Sequence, residues 1–484
     1  MKKWNFQTSG GGSSRNAFRG GSYSLTISVV VLAILVVANS FTSALPATVT
    51  KYDISASKLY SITSNTKVVV NALEQDVTIY WVVQSGQEDA VLENLLGKYD
   101  SLSDHIQVVK KNPDVYPTFA EQYTDETVRN NSLIVECGDR SRYIGYDDIY
   151  LQDMDLSSYY NVSYSFDGEG AITSAIDYVV SEDFPQLYLV EGHGEQELPA
   201  SFQDQIEKEN IEMHSLSLLT VDEIPEDADC VMIYAPSSDI SQEETDLLAD
   251  YAAQGGRLFV AAGPVEDGIL ENLYSLLAHY GVTANEGIVV EHDRDRYNGL
   301  LRLGPLAPLP DLHSSPITDP LMEENYHPTM PVSLGLTVYG DSDGVTELLT
   351  TSDTAFSKLD GYSLNTYEKE DGDIDGPFAL AVSIDTAGEG QIVWFTSSQF
   401  LEDAYNAASS GANANLGMNA LSSLIGETEA MAIRSKSLNY NYLTINSSTA
   451  SLLKALMIGI FPLVYLGIGV WVVLKRRRLQ NEPV

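Results

Sequence analysis

The chain has 484 residues, and its 68 acidic against 27 basic side chains give a formal net charge of −41 at pH 7. A surface of that sign repels polyanions and carries no basic stripe to neutralise phosphates, so nucleic-acid binding is excluded. Two cysteines, Cys137 and Cys230, exclude a disulfide scaffold, which leaves the fold to a hydrophobic core that so long a chain can build in two or three domains.

Residues 1–24 contain GGGSS and RGGS and read as a flexible tail. Leu25 to Leu45 is apolar apart from Ser, Thr and Asn, and Ala455 to Leu474 has no charge. Each is long enough to span a bilayer as a helix, since about 20 residues at roughly 1.5 Å rise cross about 30 Å. Lys2, Lys3, Arg15 and Arg19 precede the first run, and Lys475 to Arg478 follow the second. The positive-inside bias then predicts a two-pass protein of the cell membrane, in contact with lipid, with both termini cytoplasmic and residues 46–449 outside. A cleaved signal peptide is the alternative for the first run, but both the leader and the apolar stretch are long for one. Lys454, at the outer edge of the second run, reads as a snorkelling side chain.

Between the two runs the fold class reads as α/β, with a first exterior domain over 46–183 and a second over 184–435. In the first, a helix opens near Ser61 with Ser61 or Thr63 as N-cap, followed by a strand at Val77 to Val83. A helix at Glu88 to Leu102, a strand at Ile106 to Lys110 and a short helix near Phe119 to Val128 come next. Strands at Leu133 to Cys137 and Arg142 to Tyr146 complete what the alternation predicts as βαβ units around a mainly parallel sheet. Tyr150 to Phe166 is polar and lacks a helical period, so it reads as a loop or edge hairpin. Tyr159, Tyr160 and Tyr164 there could stack on carbohydrate, although exposed loop tyrosines are common. A helix from Glu169 to Ser181 leads into the second domain.

That domain alternates QLYLV, a helix at Ser201 to Glu209, CVMIYAP, a helix at Ser241 to Gln254, RLFVAAG, GQIVWFTSSQF and the helix NANLGMNALSSLIGE. Apolar strands that end in Gly, Pro or Ser predict a doubly wound, mainly parallel sheet with a crevice at the strands' carboxyl ends. Residues 295–375, rich in Pro, Gly and Asp, read as an insertion with short strands such as VTELLTT. Residues 436–454 form a membrane-proximal segment and 475–484 a basic cytoplasmic tail.

The crevice is where candidate ligand-binding residues collect: Glu191, His193 and Glu195 in the turn EGHGE, Ser237 and Ser238 after CVMIYAP, and Ser397 and Ser398 after GQIVWF. A His flanked by carboxylates at a strand end can act as a base oriented by an acid. The structural alternative is a glycine turn needing positive φ whose polar groups cap the next helix. No G-x-S-x-G elbow, H-E-x-x-H, paired C-x-x-C or G-x-x-x-x-G-K-[ST] occurs, so no nucleophile, zinc site or nucleotide-hydrolysing loop is assigned, and no cofactor or metal is expected. Asp371, Asp373, Asp375 and Gly376 imitate half a calcium loop, but its twelfth position is Val382 where a bidentate Glu is required. The sequons at Asn130, Asn161 and Asn446 are near chance in number.

The stretch KYDISASKLYSITSNTKVVVNALEQDVTIYWVV, then YLVEGHGEQE, GGRLFVAAGP, HSSPITDPL, TELLTTSDTAF, DGPFALAVSI and NANLGMNAL occur here in that order. In them the chain resembles the GldG-like (Gldg family) auxiliary subunits of ABC-type transport systems, the gliding-motility-associated type. The resemblance implies a non-catalytic, membrane-tethered accessory subunit whose exterior domain binds or gates at the permease, working with an ABC permease subunit and a cytoplasmic ATPase subunit. It also implies that the second domain is similar to glutamine-amidotransferase-like domains without their catalytic set. Two other readings compete: an extracytoplasmic hydrolase or amidase using His193 and Glu195 as acid–base pair on envelope material, and an acidic surface scaffold or adhesion protein.

Overall fold

The computed structural model describes residues 29–37, 59, 61–154, 162–299, 303–340, 344–426, 436–437, 457, 461–463, 467, 469 and 471. Among these residues no helix is long and apolar enough to cross a membrane. In the first apolar run the described residues, 29–37, are helical, and neither they nor any other described helix meets the length and apolarity that a membrane span requires. This corrects the expectation of a transmembrane helix at each end and, with it, the two-pass membrane placement. The remainder of both runs, the two tails, Tyr159, Tyr160 and the sequons at Asn161 and Asn446 lie outside the described residues.

The chain divides into two units, residues 1–438 and 439–484. Within the first, helix α1 (Ser64–Asn71) starts where Thr63 caps it, its side chain accepting from the Thr66 N–H. A four-stranded sheet follows, built from β1 (Val77–Val82), β2 (Ile106–Lys111), β3 (Ser132–Cys137) and β4 (Arg140–Ile144) in the order β2-β1-β3-β4. Helix α2 (Ala90–Leu102), capped by Asp89, crosses over between β1 and β2 and makes that pair parallel. The expectation of a mainly parallel sheet fails beyond that pair, because β1 with β3 and β3 with β4 are antiparallel. The physical reason is the connections: β2 reaches β3 through a loop holding one short 3-10 turn, Ala120–Gln122, and Gly138 at φ 58° lets a two-residue turn join β3 to β4. Tyr150–Met154 (β5) and Val162–Phe166 (β6) form the hairpin expected for the polar stretch, and helix α3 (Gly168–Val180) packs Ile172, Ala175 and Ile176 onto the first sheet's core.

The second sheet is assembled from β7 (Gln186–Val190), β8 (Glu212–Leu216), β9 (Cys230–Tyr234) and β10 (Arg257–Ala261), with helices α4 (Ala200–Lys208), α5 (Gln242–Ala253) and α6 (Glu271–Ala278) interleaved. Later strands are β11 (Val282–Ala284), β12 (Ile288–Val290), β13 (Asp311–Leu312), β14 (Leu336–Val338), β15 (Val345–Thr350), β16 (Phe356–Lys358), β17 (Ile374–Asp375), β18 (Ala379–Asp385) and β19 (Gln391–Phe395), closed by helix α7 (Ala412–Ile425). The main path is β11-β14-β18-β19-β10-β9-β7-β8, with β15 and β13 added beside β18. Its half from β8 to β19 is parallel, and β18 opens an antiparallel half. Alternate residues enter opposite cores: Met232, Phe259 and Phe395 face α4 and α7, while Ile233, Val260 and Trp394 face α5 and α6. That is the doubly wound α/β arrangement, but the expectation of a mainly parallel sheet fails beyond β19, where β18, β14, β11, β15 and β13 all pair antiparallel.

Residues 295–375 contribute β13, β14 and β15 to the main sheet, and their β16 and β17 join β12, which precedes them, in a separate three-stranded sheet, β12-β16-β17. Buried asparagines of α7 anchor its surroundings. Asn413 exchanges bonds with the Thr329 backbone at 2.8 and 2.9 Å and donates to Phe400 O at 2.6 Å, and Asn419 donates to Ile317 O at 2.9 Å. The motifs HSSPITDPL and NANLGMNAL therefore meet in the core. The first sheet docks on the second through the carboxyl end of α4. Ser174 donates to Lys208 O, Arg142 donates to Asn210 Oδ1 and, at 3.3 Å, to Glu207 O, and Asn210 at φ 57° donates to Ser174 O and Asp177 Oδ2, each at 3.0 Å.

Candidate functional site

Strand order fixes where a crevice can form. From β7 the chain crosses to β8 on one side, and from β8 it returns to β9 on the other, so the topological switch point lies at the carboxyl ends of β7 and β9. These ends carry EGHGE and PSS, and the structure brings them together. Ser237 N and Ser238 N donate to His193 O at 3.1 and 2.9 Å, and Ser238 Oγ donates to the same oxygen at 2.9 Å. Gly194, at φ 72°, lies so close that a Cβ there would sit 2.1 Å from Ser237 Oγ. The two turns fill the switch point with each other.

His193 is buried, at 6 % exposure, between two carboxylates. Its Nδ1 lies 3.2 Å from Glu195 Oε1 and its Nε2 3.2 Å from Glu244 Oε2, and its backbone N–H donates to Glu195 Oε2 at 2.7 Å. Glu244, which the sequence reading did not single out, is the third residue of α5. It accepts from Ser241 N at 2.7 Å while its own N–H reaches Ser241 Oγ at 3.3 Å, a capping box. The S-x-x-E spacing Ser241–Glu244 was the signal that could have placed it. An imidazole facing acceptors on both sides uses both ring nitrogens as donors in its protonated form. Glu191 is exposed beside this cluster.

Ser397 and Ser398 lie elsewhere. Their strand, β19, is three strand positions from β7, roughly 14 Å away at the usual spacing. Ser397 is buried and donates to Pro331 O, and Ser398 Oγ accepts from Gly263 N at 2.9 Å. Sequence reasoning also missed two buried hydroxyls without a hydrogen-bond partner, Tyr234 at the end of β9 and Ser201 in the first turn of α4. Nearby Glu402 is held above the usual carboxylate range by burial and by Asp403. Periodicity alone hides such groups, because Tyr234 reads as one more strand residue.

Both cysteines are free and buried. Burial pushes the Cys230 thiol up to about 12, against a smaller opposing effect of a backbone bond from Phe259, and raises Cys137 as well. A thiol so held is a core group, not a nucleophile. The calcium-like triplet is engaged by lysines: Asp373 lies 3.3 Å from the buried Lys358 ammonium, and Asp375 pairs with Lys369. Among the described residues no group of three His, Cys, Asp or Glu is placed to hold a metal ion.

Comparison with known proteins bears on this arrangement. Residues 185–421 match the family model described as an ABC-type uncharacterized transport system, and residues 56–151 match a domain of unknown function, DUF7088. The first match supports an auxiliary component of an ABC transport system. A search of curated proteins gives no match. Among solved structures, the mmIFT52 N-terminal domain is 17% identical, covering 47% of this chain and 92% of its own, with a TM-score of 0.35. PurLQS from Thermotoga maritima is 10% identical (50% and 100% covered, TM-score 0.26), and a glutamine amido transferase from Methylobacillus flagellatus is 10% identical (53% and 99%, TM-score 0.29).

Proposed function

We propose that this chain, whose residues 185–421 match the ABC-type uncharacterized transport system family, works as a non-catalytic accessory subunit that binds or gates at the permease of such a system. The narrower GldG-like assignment is part of the proposal, as are the permease and ATPase as partners. The family match is the observation that carries it.

The state of the switch point agrees with a non-catalytic role. His193 O is taken by the two serines, both His193 ring nitrogens face Glu195 and Glu244, and Gly194 occupies the space against Ser237. A general base needs a free nitrogen within reach of a substrate proton, and here both are occupied by the chain. The turn joins two crossovers of the sheet firmly, which suits a rigid surface for a partner better than a reaction centre.

Reconstitution of the cognate permease and ATPase with and without the chain tests this reading. An accessory role predicts a changed rate of ATP hydrolysis or cargo movement on addition of the chain, retained by His193→Gln when that variant is folded. No effect of the chain on either rate would count against it.

A further inference from the structure

The loop between β2 and β3 folds over the carboxyl ends of β1 and β2 and leaves a cavity of about 450 Å³ there, within the range of small-molecule sites. Its walls mix apolar and aromatic surface from Phe119, Tyr116, Pro113 and Val82 with polar groups, among which the Gln84 and Asn130 amides bond each other, Asn130 Nδ2 donating to Gln84 Oε1 at 3.0 Å. Tyr116 stands at the lip, 54 % exposed.

Lys111 ends β2 inside this cavity. Its ammonium lies 4.7 Å from the ring centre of Phe119, 5.2 Å from Tyr80 and 5.3 Å from Tyr116. No carboxylate among the described residues lies within 4.0 Å of it. The preceding residue makes the contrast. Lys110 points to the opposite face of the strand and is neutralised by Glu93 at 2.9 Å and Glu88 at 3.8 Å. In a chain with 68 acidic and 27 basic residues, a lysine held against rings in a cavity, with no carboxylate in ion-pairing range, is a cation open to a ligand. Arg129, which also borders the cavity, spends its guanidinium on Asp147 at 2.5 Å and on the Tyr146 ring.

We propose that this cavity binds a small monocarboxylate with an apolar or aromatic body, the carboxylate on Lys111 and the body between Phe119 and Tyr116. A single negative charge is favoured over a phosphate dianion, because one ammonium must be set against the rim carboxylates of Glu121 and Glu126. The ring faces supply the stacking surface, and a charge-assisted bond supplies orientation. The site is separate from the switch point and does not depend on the accessory-subunit reading.

The test is calorimetric titration of the full chain with N-acetylphenylalanine and, in parallel, with its uncharged amide. The acid is expected to bind at least tenfold tighter than the amide. Lys111→Met, which keeps the side chain's stem on the rings, should abolish that preference. Tyr116→Ala, at the exposed lip, should weaken the acid without lowering the melting temperature. Failure of the acid to bind, equal binding of acid and amide, or an unchanged preference in Lys111→Met overturns the proposal. If Lys111→Met does not fold, Lys111→Gln and Tyr116→Ala decide it by the same criteria.

Discussion

Glu244 and His193, 51 residues apart in sequence, meet in the core with Oε2 3.2 Å from Nε2. The same carboxylate accepts from Ser241 N, so the start of α5 is tied to the turn after β7 through one imidazole. Glu195 completes the sandwich from the other side. His193→Ala leaves two buried carboxylates facing each other without a donor between them, and is expected to destabilise the chain by about 2–4 kcal/mol. Urea denaturation checks this; a loss within about 0.5 kcal/mol, the range of an ordinary surface change, would show that the turn does not depend on the ring.

Gly194→Ala probes the same joint from the backbone. The positive φ disfavours a Cβ, and the nearest atom is the exposed Ser237 hydroxyl, which can rotate aside. The expected loss is therefore modest, about 1–2 kcal/mol. Pairing it with Ser237→Gly should recover only the steric part. Full recovery in the double variant would place the whole cost in the contact and none in the backbone.

Asp167 introduces a pH dependence where the first sheet meets the second. It is buried, one oxygen lies 3.1 Å from Lys208 Nζ, and the other has no hydrogen-bond partner. Burial raises its pKa to about 6, outweighing the opposing pull of Lys208, with Asp148 and Glu169 adding to the rise. An unfolded aspartate titrates near 3.9, so between about pH 4 and 6 the folded state binds more protons, and stability falls as pH rises through that window. Asp167→Asn removes this dependence and should gain on the wild type by about 1–3 kcal/mol between pH 4 and 7. Melting temperatures across that range check it; parallel pH profiles would contradict it.

Arg142 places a planar fork on the carboxyl end of α4, where Glu207 O and Asn210 Oδ1 receive its N–H groups. Arg142→Ala should cost about 1–3 kcal/mol and raise hydrogen exchange at residues 207–211. Arg142→Lys should not restore protection, since a point charge does not reproduce two directed donors. Full protection in the lysine variant would reduce the contact to simple electrostatics.

Calcium is expected to leave the melting temperature unchanged. Asp373 and Asp375 already face Lys358 and Lys369, and burial opposes the Asp373 charge less than the Glu370 and Leu359 N–H groups and Lys358 favour it, so its carboxyl sits below the usual range. A rise with millimolar calcium would show that the metal displaces the lysines.

The parts of this fold legible in the sequence are those fixed by local periodicity. CVMIYAP and RLFVAAG are apolar throughout because both faces of their strands are covered, and α5 opens where expected, after Ser241. The antiparallel half of the first sheet was hidden because β3, SLIVEC, looks like any apolar strand and β4, RSRYI, is mostly polar, so only the two-residue turn at Gly138 reveals their direction. Strand β8, EMHSL, went unseen as a polar edge strand. At the site, the meeting of EGHGE with Ser237 and Ser238 followed from strand ends, whereas the distance to Ser397 and Ser398 depends on strand order, which no local pattern encodes. The apolar runs at the two ends predicted membrane helices from length and charge alone, and no described helix is long and apolar enough to be one.

The accessory-subunit account is tested most directly by recovering the full chain from its native cells in mild detergent and identifying its partners by mass spectrometry. The account predicts stoichiometric recovery of a polytopic permease and a nucleotide-binding subunit. Recovery of the chain alone, under conditions that keep other transporter complexes intact, would contradict it.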